Sequence, residues 1–170
     1  MRGPASRGDV DPFIVMQVMA AAAEREAAGG DVLHLEVGQP STPAPKGVLA
    51  AARAALDGDR IGYTLALGIP ELRERISAHY RDWYGVDAPV DRIAVTTGSS
   101  GGFTLAFLAA FEHGARVALA SPGYPAYRNI LKALGVEVVD LQTEAADRFQ
   151  PTVARLEQAG PLDGVIVASP

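Results

Sequence analysis

The sequence predicts an α/β fold in which a mostly parallel sheet is flanked by helices. Two observations favour this class. From residue 92 onward, short apolar runs of strand length alternate with longer segments of helical character. Glycine, proline and serine residues, which form turns, separate these segments. Regular alternation of strands and helices is typical of a parallel sheet whose faces are covered by helices.

An apolar helix is predicted near the N-terminus, from Phe13 to Ala28. Pro12 suits its first turn, and Asp9 or Asp11 can cap it. Its early residues are largely apolar, so this helix needs another surface to pack against.

The remaining elements are predicted from apolar periodicity and from the residues that begin or end helices. Proline at the first turn marks one helix start, and glycine marks several helix ends. In chain order we expect a strand at 32–37, helices at 46–56 and from Pro70, a strand at 92–96, a helix at about 100–112, a strand at 116–120, a helix ending at Leu134, a strand at 136–141, a short helix at 152–158 and a strand at 164–168.

Composition excludes several classes of function. The net charge of −5 over 170 residues argues against nucleic acid or an anionic membrane as a partner. The chain has no cysteine, so no disulfide framework and no thiolate metal site are expected, and its three histidines lack metal-ligand spacing. We see no signal-peptide pattern and no apolar stretch of membrane-spanning length, so the expected location is cytoplasmic.

The segment Gly98-Ser99-Ser100-Gly101 lies between the strand predicted at 92–96 and the next helix. A helix N-terminus leaves backbone N–H groups without acceptors and carries partial positive charge. Glycines let a ligand approach the backbone, and the two serines add hydroxyl donors, so this turn can hold a phosphate group. It lacks the lysine of a P-loop and the glycine spacing of a dinucleotide site. The alternative is a tight turn in which a serine only caps the helix.

Two loop tyrosines are further candidates for ligand binding. Tyr124 stands between Gly123 and Pro125, at the predicted carboxyl end of a strand, where ligands gather in open α/β sheets. An aromatic ring held there could stack on a flat heteroaromatic ring. Tyr63 lies in a glycine-flanked loop before a helix. The alternatives are a surface-packed loop tyrosine for Tyr124 and a half-buried loop tyrosine for Tyr63.

The other titratable side chains show no catalytic pattern. His34 lies in a predicted strand and is expected to be a packed core histidine rather than a base. Lys46 and Lys132 are expected to be surface residues of helices. Glu36 and Asp140 give no indication of an acid–base pair.

Taken together, five stretches resemble the fold-type I pyridoxal-phosphate enzymes, and most closely the class I/II aminotransferases. Their order and spacing match that family over nearly the whole chain from about Phe13. No single motif is decisive, but the series is specific. The stretches are "LHLEVGQPSTPAP", "IGYTLALGIPELRERIS", "IAVTTGSSGGFTLAF", "VALASPGYPAYRNIL" and "GVIVASP".

The resemblance implies roles for individual residues in binding pyridoxal 5'-phosphate. Ser99, Ser100 and Gly101 match the turn that binds the cofactor phosphate. Tyr124 matches the aromatic residue that stacks on the pyridine ring. Tyr63 matches a tyrosine that reaches the cofactor phosphate of the neighbouring subunit, which implies a homodimer with shared active sites.

The resemblance also implies an amino acid and a 2-oxo acid as substrates. Gly38 matches a glycine whose loop approaches the substrate carboxylate, and the first helix resembles an arm that packs near the dimer interface. Aspartate, aromatic and branched-chain amino donors all fit. The implied domains are a disordered N-terminus at 1–12, an arm with a small-domain segment at 13–45 and an incomplete cofactor-binding large domain at 46–170.

The catalytic residues of the family have no match in this chain. The family's Asn-Pro-x-Gly stretch would follow Pro170, and its Schiff-base lysine, pyridine-nitrogen acid and carboxylate-binding arginine lie further on. Neither lysine of the chain matches the catalytic position. The chain is therefore expected to be the N-terminal part of an aminotransferase, inactive and poorly stable by itself, with an apolar sheet edge uncovered.

Other functions stay open at this point. A pyridoxal-phosphate lyase or synthase shares the same N-terminal parts. A truncated non-catalytic product is possible, whereas the effector domain of a transcription regulator would need a basic DNA-binding region before Phe13. A generic phosphate-binding α/β domain is the weakest alternative because it leaves the segments of Tyr63 and Tyr124 unexplained.

Overall fold

A three-stranded parallel sheet organises the C-terminal half of the chain. The structure is a computed structural model and describes residues 3, 5–58 and 61–168. The strands are β1 (Arg116–Ser121), β2 (Glu137–Gln142) and β3 (Gly164–Ile166), in the order β2-β1-β3. Both pairings are parallel, and Val117 lies opposite Val138 on one side and Gly164 on the other. The predicted α/β class with a parallel sheet is confirmed.

Six α-helices accompany the sheet within the described part of the chain, and all six were predicted to within a few residues. Proline in the first turn begins two of them, and glycine follows several of their ends. The helices are α1 (Ile14–Ala27), α2 (Lys46–Gly58), α3 (Pro70–Tyr84), α4 (Gly98–Ala110), α5 (Pro125–Ala133) and α6 (Val153–Gln158).

The core lies between the sheet and helices α4 and α5. Leu131 of α5 and Val117 of β1 are fully buried, and Phe107 of α4 packs against the same cluster. Burying a side chain of this size contributes about 1.5–3 kcal/mol. This small core therefore fixes α4 and α5, the two helices that follow the candidate binding turns.

The described residues fall into two compact units. One unit comprises the chain up to Val32 together with the chain from Thr97 onward, and it contains the sheet with α1, α4, α5 and α6. The other unit, Leu33–Thr96, contains α2 and α3. The predicted domain boundaries after residues 12 and 45 stay predictions. Residues 1, 2 and 4 of the expected disordered N-terminus lie outside the described residues, as do Ser169 and Pro170 at the end of the expected large domain.

Two predicted strands do not form in the described residues. The segment at 32–37 forms no strand and bends at residues 36 and 37, and Leu33 and Leu35 are 84% and 83% exposed. The segment at 92–96 starts within a short 3-10 turn, after which Val95 N donates to Leu67 O at 3.0 Å. Apolar alternation predicted both strands, but a strand also needs a neighbour to pair with, and the described chain supplies none to these segments.

In the residues that the structure describes, none of the helices has the length and apolar character that crossing a bilayer requires. Within the same residues, no group of three or more histidine, aspartate or glutamate side chains is arranged to hold a metal ion.

Candidate functional site

The first turn of α4 is sharply bent and exposed. Gly98 adopts a left-handed φ of +75°, a conformation that favours glycine, and this lets the chain turn sharply into the helix. Thr97 is the N-cap residue, and its side chain makes no capping bond to the described residues. Ser99 and Ser100 thus stand inside the exposed first turn rather than at the cap position. The alternative of a serine that only caps the helix is not what the structure contains.

Helix α4 holds this turn in place through its aromatic side chains. Phe103 and Phe107 of α4 and Phe111, directly after its end, follow one another, with ring centroids 5.7 and 6.0 Å apart. Phe107 is buried in the core, and the hydroxyl of Thr104 donates to Ser100 O at 2.8 Å. The donors of the first turn are therefore fixed by a docked helix.

Tyr124 lies in the turn between β1 and α5. Its neighbour Gly123 is required there, because a Cβ on Gly123 would lie 2.5 Å from the carbonyl oxygen of Ala120 in β1. Pro125 then begins α5. The turn is thus held tightly against the carboxyl end of the strand, with Tyr124 about half exposed at 48%.

Aromatic contacts bring Tyr124 and α4 together. The ring of Tyr124 lies 5.3 Å from that of Tyr127, edge to face, and Tyr127 lies 4.7 Å from Phe103 of α4 in the same manner. Phe103 follows Ser99 by four residues, so the two share one side of the helix. The serine turn is thus linked to Tyr124 indirectly, through Phe103 and Tyr127.

A cavity of about 230 Å³ opens at this edge, beyond the ends of β1 and β3. Its walls include Tyr124, Arg128, Phe149, Ile166 and Ala168. Ligands of open α/β sheets bind in such crevices at the carboxyl ends of strands. The described residues thus place exposed serine hydroxyls at the start of α4 and a half-exposed aromatic ring beside the cavity at Tyr124.

The cation nearest to this cavity is already paired. Both terminal nitrogens of Arg128 donate to the carboxylate of Asp140 on β2. These hydrogen bonds hold the pKa of Asp140 below its usual range. Arg128 therefore ties α5 to the sheet, and its charge is balanced by Asp140.

His34 is not a core histidine, and that prediction is wrong. Its side chain is 49% exposed, and its Nδ1 atom lies 2.7 Å from Glu36 Oε1. The hydrogen bond from His34 lowers the pKa of Glu36. The error follows from the strand that does not form at 32–37, because no sheet covers this side chain. Glu36 thus pairs with His34, whereas Asp140 pairs with Arg128.

Gly38 and Tyr63 belong to the unit Leu33–Thr96, whereas Ser99, Ser100, Gly101 and Tyr124 belong to the other. Tyr63 is fully exposed at 110%, so the alternative of a half-buried tyrosine is wrong. Gly38 is exposed, and a Cβ there would meet no described atom within 4 Å.

The structure adds residues to the site that the sequence reasoning missed. Tyr127 packs on Tyr124 from three residues away, a helical spacing that could have indicated the contact. Phe13 also contacts Tyr124, and Asp11 does not cap α1 but binds α5 through Lys132 and Asn129. These contacts are long-range and leave no local sequence signal.

Lys46 and Lys132 are exposed on their helices, as predicted.

Comparison with known proteins gives consistent matches. The family model for aminotransferase class I and II matches residues 30–170. Valine–pyruvate aminotransferase of Mycobacterium tuberculosis is 56% identical over 167 residues, which is 98% of this chain and 43% of that protein. This chain spans less than half the length of the curated relatives it matches.

Solved structures match over the same region. A crystal structure of an aminotransferase from Mycobacterium tuberculosis has a TM-score of 0.94 and 54% identity, and the match covers all of this chain and 44% of that one. Aspartate aminotransferase from Thermus thermophilus with maleate has a TM-score of 0.86 and 31% identity, with 94% of this chain and 42% of that chain covered.

Proposed function

Since the chain belongs to the class I and II aminotransferases, we propose that it forms the N-terminal, cofactor-binding part of an enzyme that uses pyridoxal 5'-phosphate. The reaction moves an amino group between an amino acid and a 2-oxo acid. One observation carries the proposal: the exposed serine turn of α4 is linked through Phe103 and Tyr127 to Tyr124, which stands at the carboxyl end of a parallel strand.

The residues present fit the two ends of this cofactor. A phosphate dianion suits the first turn of α4, where backbone N–H groups and the hydroxyls of Ser99 and Ser100 are exposed at the positive end of the helix. Gly101 keeps the backbone open to close approach. A flat aromatic ring suits Tyr124, which is half exposed and held on one side by Tyr127.

When bound, pyridoxal phosphate supplies an electron sink for the amino acid carbon that loses a proton. The described residues of this chain bind and orient. Ser99 and Ser100 would donate hydrogen bonds to the phosphate, and Tyr124 would stack on the ring. Arg128, neutralised by Asp140, keeps α5 and its Tyr127 fixed to the sheet. Lys46 and Lys132 stand exposed on α2 and α5 and take no part in the chemistry.

A homodimer with shared sites is the proposed assembly. Tyr63 is fully exposed in its loop and free to reach a neighbouring subunit's cofactor phosphate. Apolar side chains of α1 are also uncovered, with Ile14 60% and Met16 55% exposed. Sedimentation analysis of the protein expressed from its complete reading frame measures its oligomeric state. A monomer at micromolar concentration would contradict the proposed homodimer.

The proposed substrates are an aliphatic amino acid and pyruvate, because a relative with 56% identity is named for valine and pyruvate. Gly38 leaves its loop open to the substrate carboxylate. Side-chain selectivity within this class requires measurement with aspartate, aromatic and branched-chain donors in parallel.

We expect the protein expressed from the complete reading frame that contains this chain to form alanine from valine and pyruvate, dependent on pyridoxal phosphate. Residues 1–170 expressed alone are expected to show no turnover above a cofactor-only control, because neither lysine lies in the candidate site. Elimination or condensation in place of amino transfer would assign the protein to the lyases or synthases of this fold. Turnover by residues 1–170 alone would contradict the placement of the catalytic lysine outside them.

A further inference from the structure

We infer that Phe13 is a positioning residue for Tyr124: the segment 11–13 docks on α5 and fixes the plane of the tyrosine ring. The inference rests on the proposed function, in which Tyr124 covers the cofactor ring. It adds a role for the segment before α1, which the site residues predicted from sequence do not include.

Tyr124 is held between two aromatic rings. Phe13 lies 6.1 Å from it at an interplanar angle of 80°, and Tyr127 lies 5.3 Å from it at 79°. Both contacts are edge to face, the arrangement that aromatic pairs favour. A tyrosine side chain turns about two torsions, and a single neighbour leaves its ring free to tilt. The second contact, from Phe13, restricts that tilt while the ring stays half exposed.

Polar contacts hold the segment of Phe13 in place. The carboxylate of Asp11 lies 2.5 Å from Lys132 Nζ, and Asn129 Nδ2 donates to Asp11 O at 2.9 Å. The hydrogen bond from Lys132 also lowers the pKa of Asp11. Both partners belong to α5, the helix that begins directly after Tyr124. Phe13 and Tyr124 are thus anchored to the same helix.

The contact of Phe13 is separate from the hydrophobic core. The core cluster is built around Phe107, Val117 and Leu131, and neither Phe13 nor Tyr124 is among the side chains packed on it. None of the residues of α1 is buried within the described chain. Truncating Phe13 should therefore disturb Tyr124 without opening a cavity in the core.

The test compares cofactor retention among variants of the protein expressed from the complete reading frame. Phe13→Ala and Phe13→Leu are expected to speed dissociation of pyridoxal phosphate about 3- to 10-fold, the range that one aromatic pair provides. They should also reduce the induced circular dichroism of the bound cofactor. Phe13→Tyr keeps a ring and should retain wild-type values. Val153→Ala, which truncates an apolar side chain of α6 that is 70% exposed and does not line the cavity, is the control and should change neither quantity.

A double-mutant cycle with Tyr124→Leu separates the possible failures. The inference predicts that Tyr124→Leu weakens retention and that Phe13→Ala then adds nothing. An equal effect of Phe13→Ala in both backgrounds, or wild-type retention in Phe13→Ala, would overturn the positioning role while leaving the proposed function standing. Unchanged retention in Tyr124→Leu would overturn the proposed role of Tyr124, and the inference with it.

Discussion

Replacing Ser100 with glutamate is expected to weaken pyridoxal phosphate binding about 100-fold or more. Ser100 stands in the exposed first turn of α4, where the proposed phosphate site lies. A carboxylate there would face the phosphate dianion at close range and would occupy the space of the ligand. The measurement is the dissociation constant of the cofactor, followed by absorbance during dialysis of the protein expressed from the complete reading frame.

Matched variants separate charge from size in this experiment. Ser100→Gln has the same length as glutamate without its charge and should lose less affinity, while Ser100→Ala removes one hydroxyl and should lose about 3- to 10-fold. The difference between glutamate and glutamine should shrink as salt is raised. Equal cofactor affinity in the wild type and Ser100→Glu would show that this turn does not bind the phosphate and has a structural role only.

Replacing Gly123 with alanine is expected to displace Tyr124 and to destabilise the fold. The new Cβ would lie 2.5 Å from the Ala120 carbonyl oxygen. Ala120 pairs with Leu141 in the sheet register, so this oxygen cannot move without disturbing β1. The turn must move instead, which costs about 1–3 kcal/mol, the usual range for overpacking. Thermal or denaturant unfolding measures the loss, and cofactor dissociation should quicken about 10-fold or more because Tyr124 loses its contacts.

Gly47→Ala is the control for this substitution. Gly47 lies in α2, and a Cβ there would meet no described atom within 4 Å. Alanine is favoured over glycine in a helix, so this variant should be neutral or slightly more stable. A Gly123→Ala protein with the unfolding free energy of the wild type would show that the close approach to Ala120 is not a constraint on the turn.

Local signals explain why the helices could be predicted from sequence. Pro125 begins α5, and Gly135 follows its end with a φ of +77°. Proline favours the first turn of a helix and glycine favours the position after its end, so both boundaries can be predicted from these two residues. The strands β1 and β2 lie directly before and after this helix in the chain, so the helix boundaries also indicate where β1 ends and where β2 begins. The position of the serine turn at the start of α4 was predictable for the same reason.

Long-range pairing explains what the sequence could not predict. An apolar alternating run at 32–37 looks like a strand, but only a neighbouring strand makes it one, and the prediction for His34 was wrong with it. Asp11 and Asn129 are 118 residues apart, and nothing near Asp11 indicates that it docks on α5 rather than caps α1. The exposure of Tyr63 likewise depends on what surrounds its loop in three dimensions.

The central claim is that the first turn of α4 holds a phosphate group. The most direct measurement is the ratio of the dissociation constants for pyridoxal and pyridoxal 5'-phosphate, which differ only in that group, in the protein expressed from the complete reading frame. If two charge-assisted hydrogen bonds hold the phosphate, pyridoxal 5'-phosphate should bind on the order of 100-fold more tightly than pyridoxal. Equal affinities for the two compounds would contradict the account.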